Sequence, residues 1–414
     1  MPRLLYSDSQ GRIFEEPGLE AAAMKAGRIG RVGVSELIEL PPGSQLFILP
    51  LRGAIGFDRF TSNPVISNDR FAVAAFLAPG YTATYSPAYI DNPKTKILPL
   101  FSYCAAVSYM GRIYVTAVRV DRDRRHDTRF INMASVKHNA KRFKTAFPEN
   151  RLISHLETCA LTYGCPNAQN FFLSRYECPL PTAPVCNARC AGCISYQPAK
   201  EICATQPRIK FVPHPEEISE IAIYHAGRAK RPIVSFGQGC EGEPLTQAGV
   251  VEKAIRLIRG ETRKGIINLN TNGSRPEKLK SLIDAGLDSV RISLNSARGE
   301  YYTKYYRPVG YNFTDVVSSI STAKKKGIFV SLNYLTMPGF TDTKDEYSAL
   351  RRLIRDTNLD MIQWRNLNYD PLRYLDIINA RPMLSEMVGL RQEMGLLKKE
   401  FPKLRMGYFN PKFL

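Results

Sequence analysis

The distribution of apolar positions changes near Cys193. Beyond it, short apolar runs rich in β-branched residues recur at 233–236, 266–269, 290–294, 329–335 and 361–364. Between them, segments 215–228, 246–258, 276–285, 313–326 and 344–357 carry apolar residues three and four apart, the spacing of one helix face. Pro276 stands near a helix start, and Gly286 and Gly327 stand just past two helix ends. Strand, helix and strand repeat every roughly 30 to 40 residues, as right-handed βαβ units require. A further strand at 170–174, ahead of a group of cysteines, brings the expected parallel strands to about six. The fold class is therefore α/β, a partial (β/α)6 TIM-like barrel rather than a closed eightfold one.

Upstream the pattern is different. From about 35 to 120, β-prone runs at 37–40, 45–51, 71–77 and 113–120 are punctuated by turns such as Pro41-Pro42-Gly43. Long intervals, as from Phe57 to Asn68, leave their topology open. The expected organisation is a mostly β N-terminal domain at 1–130, a basic helical connector at 131–169, the partial barrel at 170–378 and a short helical closure at 379–414. The last helix is expected at 383–399, with the tail Lys412-Phe413-Leu414 closing one end. Between Arg119 and Arg151, ten Lys or Arg stand against four Asp or Glu, around a helix expected at 132–146. Such a run is either a solvated face or a contact to phosphate or an acidic substrate.

Composition narrows the setting. The 57 Lys and Arg against 38 Asp and Glu give a net charge of +19, a bias toward acidic or polyanionic partners that names none. The longest apolar stretches, such as 71–78, fall far short of the roughly 20 residues a membrane span needs. With Asp8, Glu15 and Glu16 close behind Arg3, the N-terminus lacks the order of a secretion signal, so a cytoplasmic protein is expected. Nine Cys, odd in number and crowded between Cys159 and Cys240, suit metal binding in a reducing compartment better than a disulfide framework.

The sharpest chemical signal is Cys186-Asn-Ala-Arg-Cys190-Ala-Gly-Cys193, three thiols on one short loop. Structural zinc normally takes four ligands in two separated pairs, whereas a four-iron cluster held by three thiolates keeps one iron open for a substrate. Buried or redox-active thiols are the plain alternative. Three polar groups follow at successive strand ends: Gly237-Gln-Gly239-Cys240-Glu241-Gly242-Glu243-Pro244, Asn270-Thr271-Asn272-Gly273, and Arg291-Ile-Ser293-Leu-Asn295. Parallel α/β barrels build active sites at those C-terminal ends. Ordinary turn chemistry explains any one of them, but poorly explains all in register.

With these motifs together, the sequence resembles the radical S-adenosylmethionine (SAM) enzymes over roughly 170–370, about half the chain. The resemblance leaves the N-terminal domain unexplained. It implies that Cys186, Cys190 and Cys193 hold a 4Fe–4S cluster, with the open iron chelated by the amino and carboxylate groups of SAM. It implies that Glu243 accepts hydrogen bonds from the SAM amino group beside Gly242. Ser293 and Asn295 would meet the ribose or carboxylate, and Asn272 and Gly273 would shape the neighbouring wall. Reductive cleavage of SAM would then yield a 5′-deoxyadenosyl radical that abstracts hydrogen from a substrate. An electron donor such as a ferredoxin or flavodoxin, and a small-molecule or peptide substrate, are the implied partners. Two departures stand out. Gly192 occupies a place where the family often has an aromatic residue, and Glu241 replaces a motif glycine, so either Glu241 or Glu243 could face the ligand; the following Pro244 favours Glu243.

Other residues carry two readings each. Cys240 is a hydrogen donor, ligand or attachment point, or a small buried thiol. Tyr301, Tyr302, Tyr305, Tyr306 and Arg307 cover the barrel mouth or pack in the core. Arg365, Asn366 and Asn368 bind substrate oxygens, Arg365 in a catalytic position, or satisfy loop carbonyls. Cys159, Cys165, Cys178 and Cys203 raise a second cluster against their irregular spacing, and no Cys follows Cys240 as C-terminal auxiliary-cluster domains would require. Two alternatives stand beside the leading function. One is an RNA-modifying radical SAM enzyme, suggested by the charge although no RNA-binding module is present. The other is a non-enzymatic zinc or iron–sulfur binding protein.

Overall fold

The computed structural model describes residues 1–92, 94–98, 102–197 and 202–411, in two compact units. One unit holds Met1–Arg122, Leu335–Arg351 and Trp364–Lys403; the other holds the described residues of Asp123–Tyr334, Arg352–Gln363 and Leu404–Leu414. The tail 412–414, expected to close one end, lies outside the described residues.

The first unit contains an eleven-stranded sheet. Its strands are β1 (Arg3–Ser7), β2 (Ile13–Lys25), β3 (Arg28–Arg31), β4 (Leu37–Glu39), β5 (Gln45–Asp58), β6 (Pro64–Phe76), β7 (Tyr81–Ala83), β8 (Ser86–Pro87), β9 (Ile90–Asp91), β10 (Tyr103–Tyr109) and β11 (Arg112–Arg119). The order is β3-β2-β5-β6-β1-β10-β11-β4, with β7, β8 and β9 added to β11, β2 and β5. The interval that left the topology open is a hairpin turn. Asp58 accepts from the backbone N–H groups of Phe60 at 3.0 Å and Thr61 at 2.7 Å, returning the chain so that Phe57 faces Pro64. The apolar run in β6 does not alternate because both of its faces are covered: Val73 and Ala75 enter one cluster with Cys104 and Val115, Ala72 and Ala74 another with Met24 and Leu49.

Later segments complete this unit. The Thr82 hydroxyl donates to the Trp364 carbonyl at 2.8 Å, and Lys25 lies 3.9 Å from the buried Asp342 carboxylate. The Arg391 guanidinium donates to the Ala117 carbonyl.

The second unit begins with α1 (Met133–Ala146), α2 (Arg151–Leu161) and α3 (Pro166–Phe172). Asn132 caps α1 by accepting from the Ser135 N–H at 3.0 Å, which sets the start of the basic helix one residue inside its expected range. The strand expected at 170–174 is not a strand. Pro166 starts α3, and its Phe171 and Phe172 rings pack 5.1 and 5.4 Å from Phe143, so the apolar pair belongs to a short buried helix. A brief apolar run cannot distinguish the two states by periodicity.

The first barrel strand instead is β12 (Glu177–Pro179), followed by β13 (Ile233–Phe236), β14 (Ile266–Thr271), β15 (Ser289–Leu294), β16 (Phe329–Thr336), β17 (Met361–Asn366) and β18 (Arg405–Gly407). These lie in chain order in one sheet, and the pairs β12–β13, β13–β14, β14–β15, β15–β16 and β17–β18 are parallel. The sheet therefore has a seventh strand beyond the six expected, too short and too polar to show a pattern. Helices α4 (Pro215–Arg228), α5 (Ala248–Glu261), α6 (Pro276–Ala285), α7 (Gly299–Tyr306), α8 (Phe313–Lys325) and α9 (Lys344–Thr357) alternate with the strands. Later in the chain come α10 (Pro371–Ile378) and α11 (Leu390–Glu400), which belong to the first unit. The last helix starts later than expected because Gly389, at φ 90°, breaks the chain before Leu390.

Candidate metal and cofactor site

The cysteine loop leaves β12 and is held by backbone bonds on two sides. On one, the N–H groups of Gly242 and Glu243 donate to the carbonyls of Ala183 at 2.6 Å and Val185 at 2.9 Å. On the other, the N–H groups of Arg189 and Ala191 donate to Tyr306 and Tyr305 at the end of α7, at 2.9 and 3.0 Å. Cys186, Cys190 and Cys193 are half-buried, and Ala188 and Ala191, on either side of Cys190, are buried.

Burial pushes the Cys186 thiol up to about 11, reinforced by Glu243. Burial also pushes Cys190 well above its ordinary range, reinforced by the other two thiols. The three sulfurs therefore share one electrostatic neighbourhood, in which bound cationic iron would favour thiolates. They do not form a single-ion group. Among the described residues, the His, Cys, Asp and Glu set whose ligand atoms lie within 4.8 Å of one another is His155, Cys159 and Cys240. Wider spacing on one loop suits a cluster that offers a separate iron to each thiolate.

The turn after β13 is shaped by two glycines. Gly237 has φ +76°, and a Cβ there would lie 1.7 Å from the Asn270 carbonyl oxygen. A Cβ on Gly242 would lie 1.9 Å from the Val185 carbonyl oxygen, so only glycine lets this turn press against the start of the cysteine loop.

The two flanking carboxylates are used differently. Glu241 accepts four backbone N–H bonds: from Gly237 at 2.6 Å and Gln238 at 2.9 Å on one oxygen, and from Thr182 at 2.7 Å and Ala183 at 2.9 Å on the other. These fill its roughly four acceptor positions. Glu243 accepts from the Leu245 N–H at 3.0 Å and the Thr271 hydroxyl on Oε1, and from the Asn272 N–H at 2.8 Å on Oε2, which keeps a further acceptor position. Burial pushes both carboxyls up to about 7 against these hydrogen bonds.

The other expected positions are placed as follows. Asn272 donates from its amide to Asn187 in the cysteine loop at 2.9 Å, and Gly273 accepts from the Ser319 hydroxyl at 2.6 Å. Ser293, at the end of β15, accepts from Asn333 at 3.2 Å, and the buried Asn295 donates to the Tyr301 carbonyl at 3.2 Å. Tyr302, Tyr305 and Tyr306 are buried, with Tyr302 stacked on Tyr306 at 4.5 Å and its hydroxyl 3.0 Å from that of Tyr311. The packing reading holds for these three rings, while Tyr301 is half-buried and Arg307 exposed.

Arg365 is half-buried at the end of β17. Its neighbour Asn366 takes the loop-satisfying role, accepting from the Ala83 N–H at 2.8 Å and donating to the Tyr81 carbonyl at 3.1 Å. Cys240 is buried beside Cys159, Cys178 is buried in β12, and Cys203 is exposed.

Arg208 and Asn187 were missed by sequence reasoning. The Arg208 guanidinium donates to Cys193 Sγ at 3.4 Å and to the Ser195 hydroxyl at 3.1 Å, setting a cation against the thiol loop. No spacing marks Arg208, one of many basic residues; Asn187 lies inside the cysteine motif at a position the motif does not specify.

Residues 180–350 match the profile of the Radical SAM superfamily. GTP 3′,8-cyclase of Aquifex aeolicus (strain VF5) is 30% identical over 218 residues, covering 52% of this chain and 62% of that protein. The FeMo cofactor biosynthesis protein NifB of Klebsiella pneumoniae is 23% identical over 180 residues, covering 40% of this chain and 38% of that one. The chain thus spans less than two thirds of these relatives' lengths. Among solved structures, the FeFe-hydrogenase maturase HydG from Carboxydothermus hydrogenoformans superposes with a TM-score of 0.39 at 14% identity, over 66% of this chain and 70% of that one. Over residues 180–350, less than half of its length, the chain is similar to the radical SAM superfamily, enzymes that use a 4Fe–4S cluster together with S-adenosylmethionine.

Proposed function

We propose that this chain reductively cleaves SAM and directs the product against a small-molecule or peptide substrate. In this reading Cys186, Cys190 and Cys193 hold the 4Fe–4S cluster. Glu243 receives the SAM amino group beside Gly242, and Asn272, Ser293 and Asn295 line the wall toward its ribose and carboxylate. When bound, the cluster and SAM supply reductive cleavage to a 5′-deoxyadenosyl radical that abstracts hydrogen. The chain's own residues position the thiol loop against the Glu241-Gly242-Glu243 turn and exclude water. Arg365 stands in this reading as a substrate-facing group at the end of β17, and the domain limits 1–130, 131–169, 170–378 and 379–414 are part of the same proposal. A ferredoxin or flavodoxin in the cytoplasm supplies the electron.

The observation that carries this reading is the unequal use of the two carboxylates. Glu241 is filled by four backbone donors, while Glu243, on the same turn, keeps an acceptor position. The RNA-modifying alternative draws less support, because several cations of the basic segment are used within the chain. Arg129 pairs with Asp127 at 2.8 Å, Arg151 with Glu217 at 2.6 Å, and Lys144 with Glu157.

The test is anaerobic reconstitution followed by incubation with SAM and dithionite. About four irons per chain and steady 5′-deoxyadenosine formation are expected. A Cys190→Ala chain that cleaves SAM at the full rate refutes the reading. The relatives' names point to a nucleotide and to cofactor biosynthesis, so GTP is the first substrate to try for stimulated cleavage.

A further inference from the structure

A second group of soft ligands lies outside the cysteine loop. His155 and Cys159 are four residues apart on α2 and therefore share one face. Cys240, from the turn after β13, completes a set whose three ligand atoms all lie within 4.8 Å of one another. Cys159 and Cys240 are buried and His155 half-buried. The Cys165 N–H donates to the Cys159 carbonyl at 2.9 Å, tying the end of α2 to the start of α3.

The spacing fits one ion. His155 Nε2 is 3.6 Å from Cys159 Sγ. A tetrahedral zinc ion at about 2.0–2.1 Å from nitrogen and about 2.3 Å from sulfur sets those two ligands about 3.6 Å apart. A four-iron cluster would bind each thiolate through a different iron and spread the ligands more widely. Thiolate and imidazole donors with no carboxylate suit zinc among the divalent ions, and three such protein ligands leave the fourth tetrahedral position to water.

We infer that His155, Cys159 and Cys240 bind one zinc ion that fastens α2 to the turn carrying Glu241, Gly242 and Glu243. Cys240 precedes Glu241 in the chain, and its carbonyl accepts at 2.8 Å from the N–H of Ile209, the neighbour of Arg208, whose guanidinium donates to Cys193. The ion thereby stiffens the frame on which both the thiols and Glu243 are mounted. This site is independent of the cluster assignment and takes no part in electron transfer.

The test measures metal in protein isolated anaerobically. Wild-type chain is expected to hold about one zinc. A Cys186→Ala/Cys190→Ala/Cys193→Ala chain keeps that zinc and loses iron, whereas Cys159→Ser/Cys240→Ser loses the zinc. Should the latter variant fail to fold, wild type and the triple variant grown with cobalt decide the matter, since tetrahedral cobalt–thiolate binding gives intense visible bands. The inference is overturned if the triple variant carries neither zinc nor those bands, if it holds iron and sulfide in their place, or if wild type contains a Cys159–Cys240 disulfide. Failure of the cluster assignment looks different: wild type retains zinc but takes up no iron.

Discussion

Changing Gly242 to Ala adds one methyl group at the closest approach between the cofactor turn and the thiol loop. The new Cβ would lie 1.9 Å from the Val185 carbonyl oxygen, 2.4 Å from its carbon and 3.1 Å from the Cys186 nitrogen, all backbone atoms that cannot rotate aside. Relief requires the two segments to separate by more than 1 Å, roughly the shortfall from ordinary carbon–oxygen contact. That movement breaks the bonds from Gly242 to Ala183 and from Glu243 to Val185. Two backbone bonds at about 0.5–1.5 kcal/mol each, added to about 1–3 kcal/mol of overpacking, put the cost at about 2–6 kcal/mol. Because Cys186 rides on the displaced segment, iron incorporation falls along with stability. The assay is thermal unfolding of the apo chain beside iron content after reconstitution. Gly249→Ala is the control: that glycine lies in α5 with nothing within 4 Å of an added Cβ, so the same change stabilises by about 0.4–1 kcal/mol. A Gly242→Ala chain with wild-type stability and full iron would falsify the proposed contact between turn and loop.

Two further outcomes concern the carboxylates. Removing a charge-assisted hydrogen bond worth about 1.5–3 kcal/mol raises the KM for SAM about 10- to 100-fold in Glu243→Gln, with iron content unchanged; an unaltered KM argues against an amino-group contact. Glu241 binds its proton more tightly folded, at about 7, than at its ordinary 4.5, so its stabilising contribution is full below about pH 4.5 and lost as pH rises through 7. The apo wild type should therefore lose up to about 3 kcal/mol relative to Glu241→Gln between pH 4.5 and 8 in urea unfolding, and a difference that grows in the opposite direction contradicts the burial argument.

Much of the barrel was legible because its signals are local. Pro215–Arg228 and Pro276–Ala285 each open on a proline at the first helical turn and keep a clean apolar face, and both lie where periodicity puts them. The pair Phe171 and Phe172 misled because two adjacent aromatics fit a strand or a buried helix equally well. Strand Arg405–Gly407 was invisible because its three residues owe their pairing to Met361–Gln363, far away in sequence. The cysteine motif was plain and Pro244 favoured Glu243, but two of the N–H groups that fill Glu241 come from Thr182 and Ala183, nearly sixty residues upstream, where no spacing marks them. His155 and Cys240 share no spacing, so only folding brings them together.

The unit that contains the first sheet has an implication for anyone who would cut or recombine this gene. A polypeptide stopped after residue 122 would strip the Ala117 carbonyl of Arg391, the Thr82 hydroxyl of its acceptor at Trp364, and Lys25 of Asp342. Grafting the front third of one relative onto another would require transplanting 335–351 and 364–403 as well. In space it is one module, whereas on the genetic map it is three separate inserts.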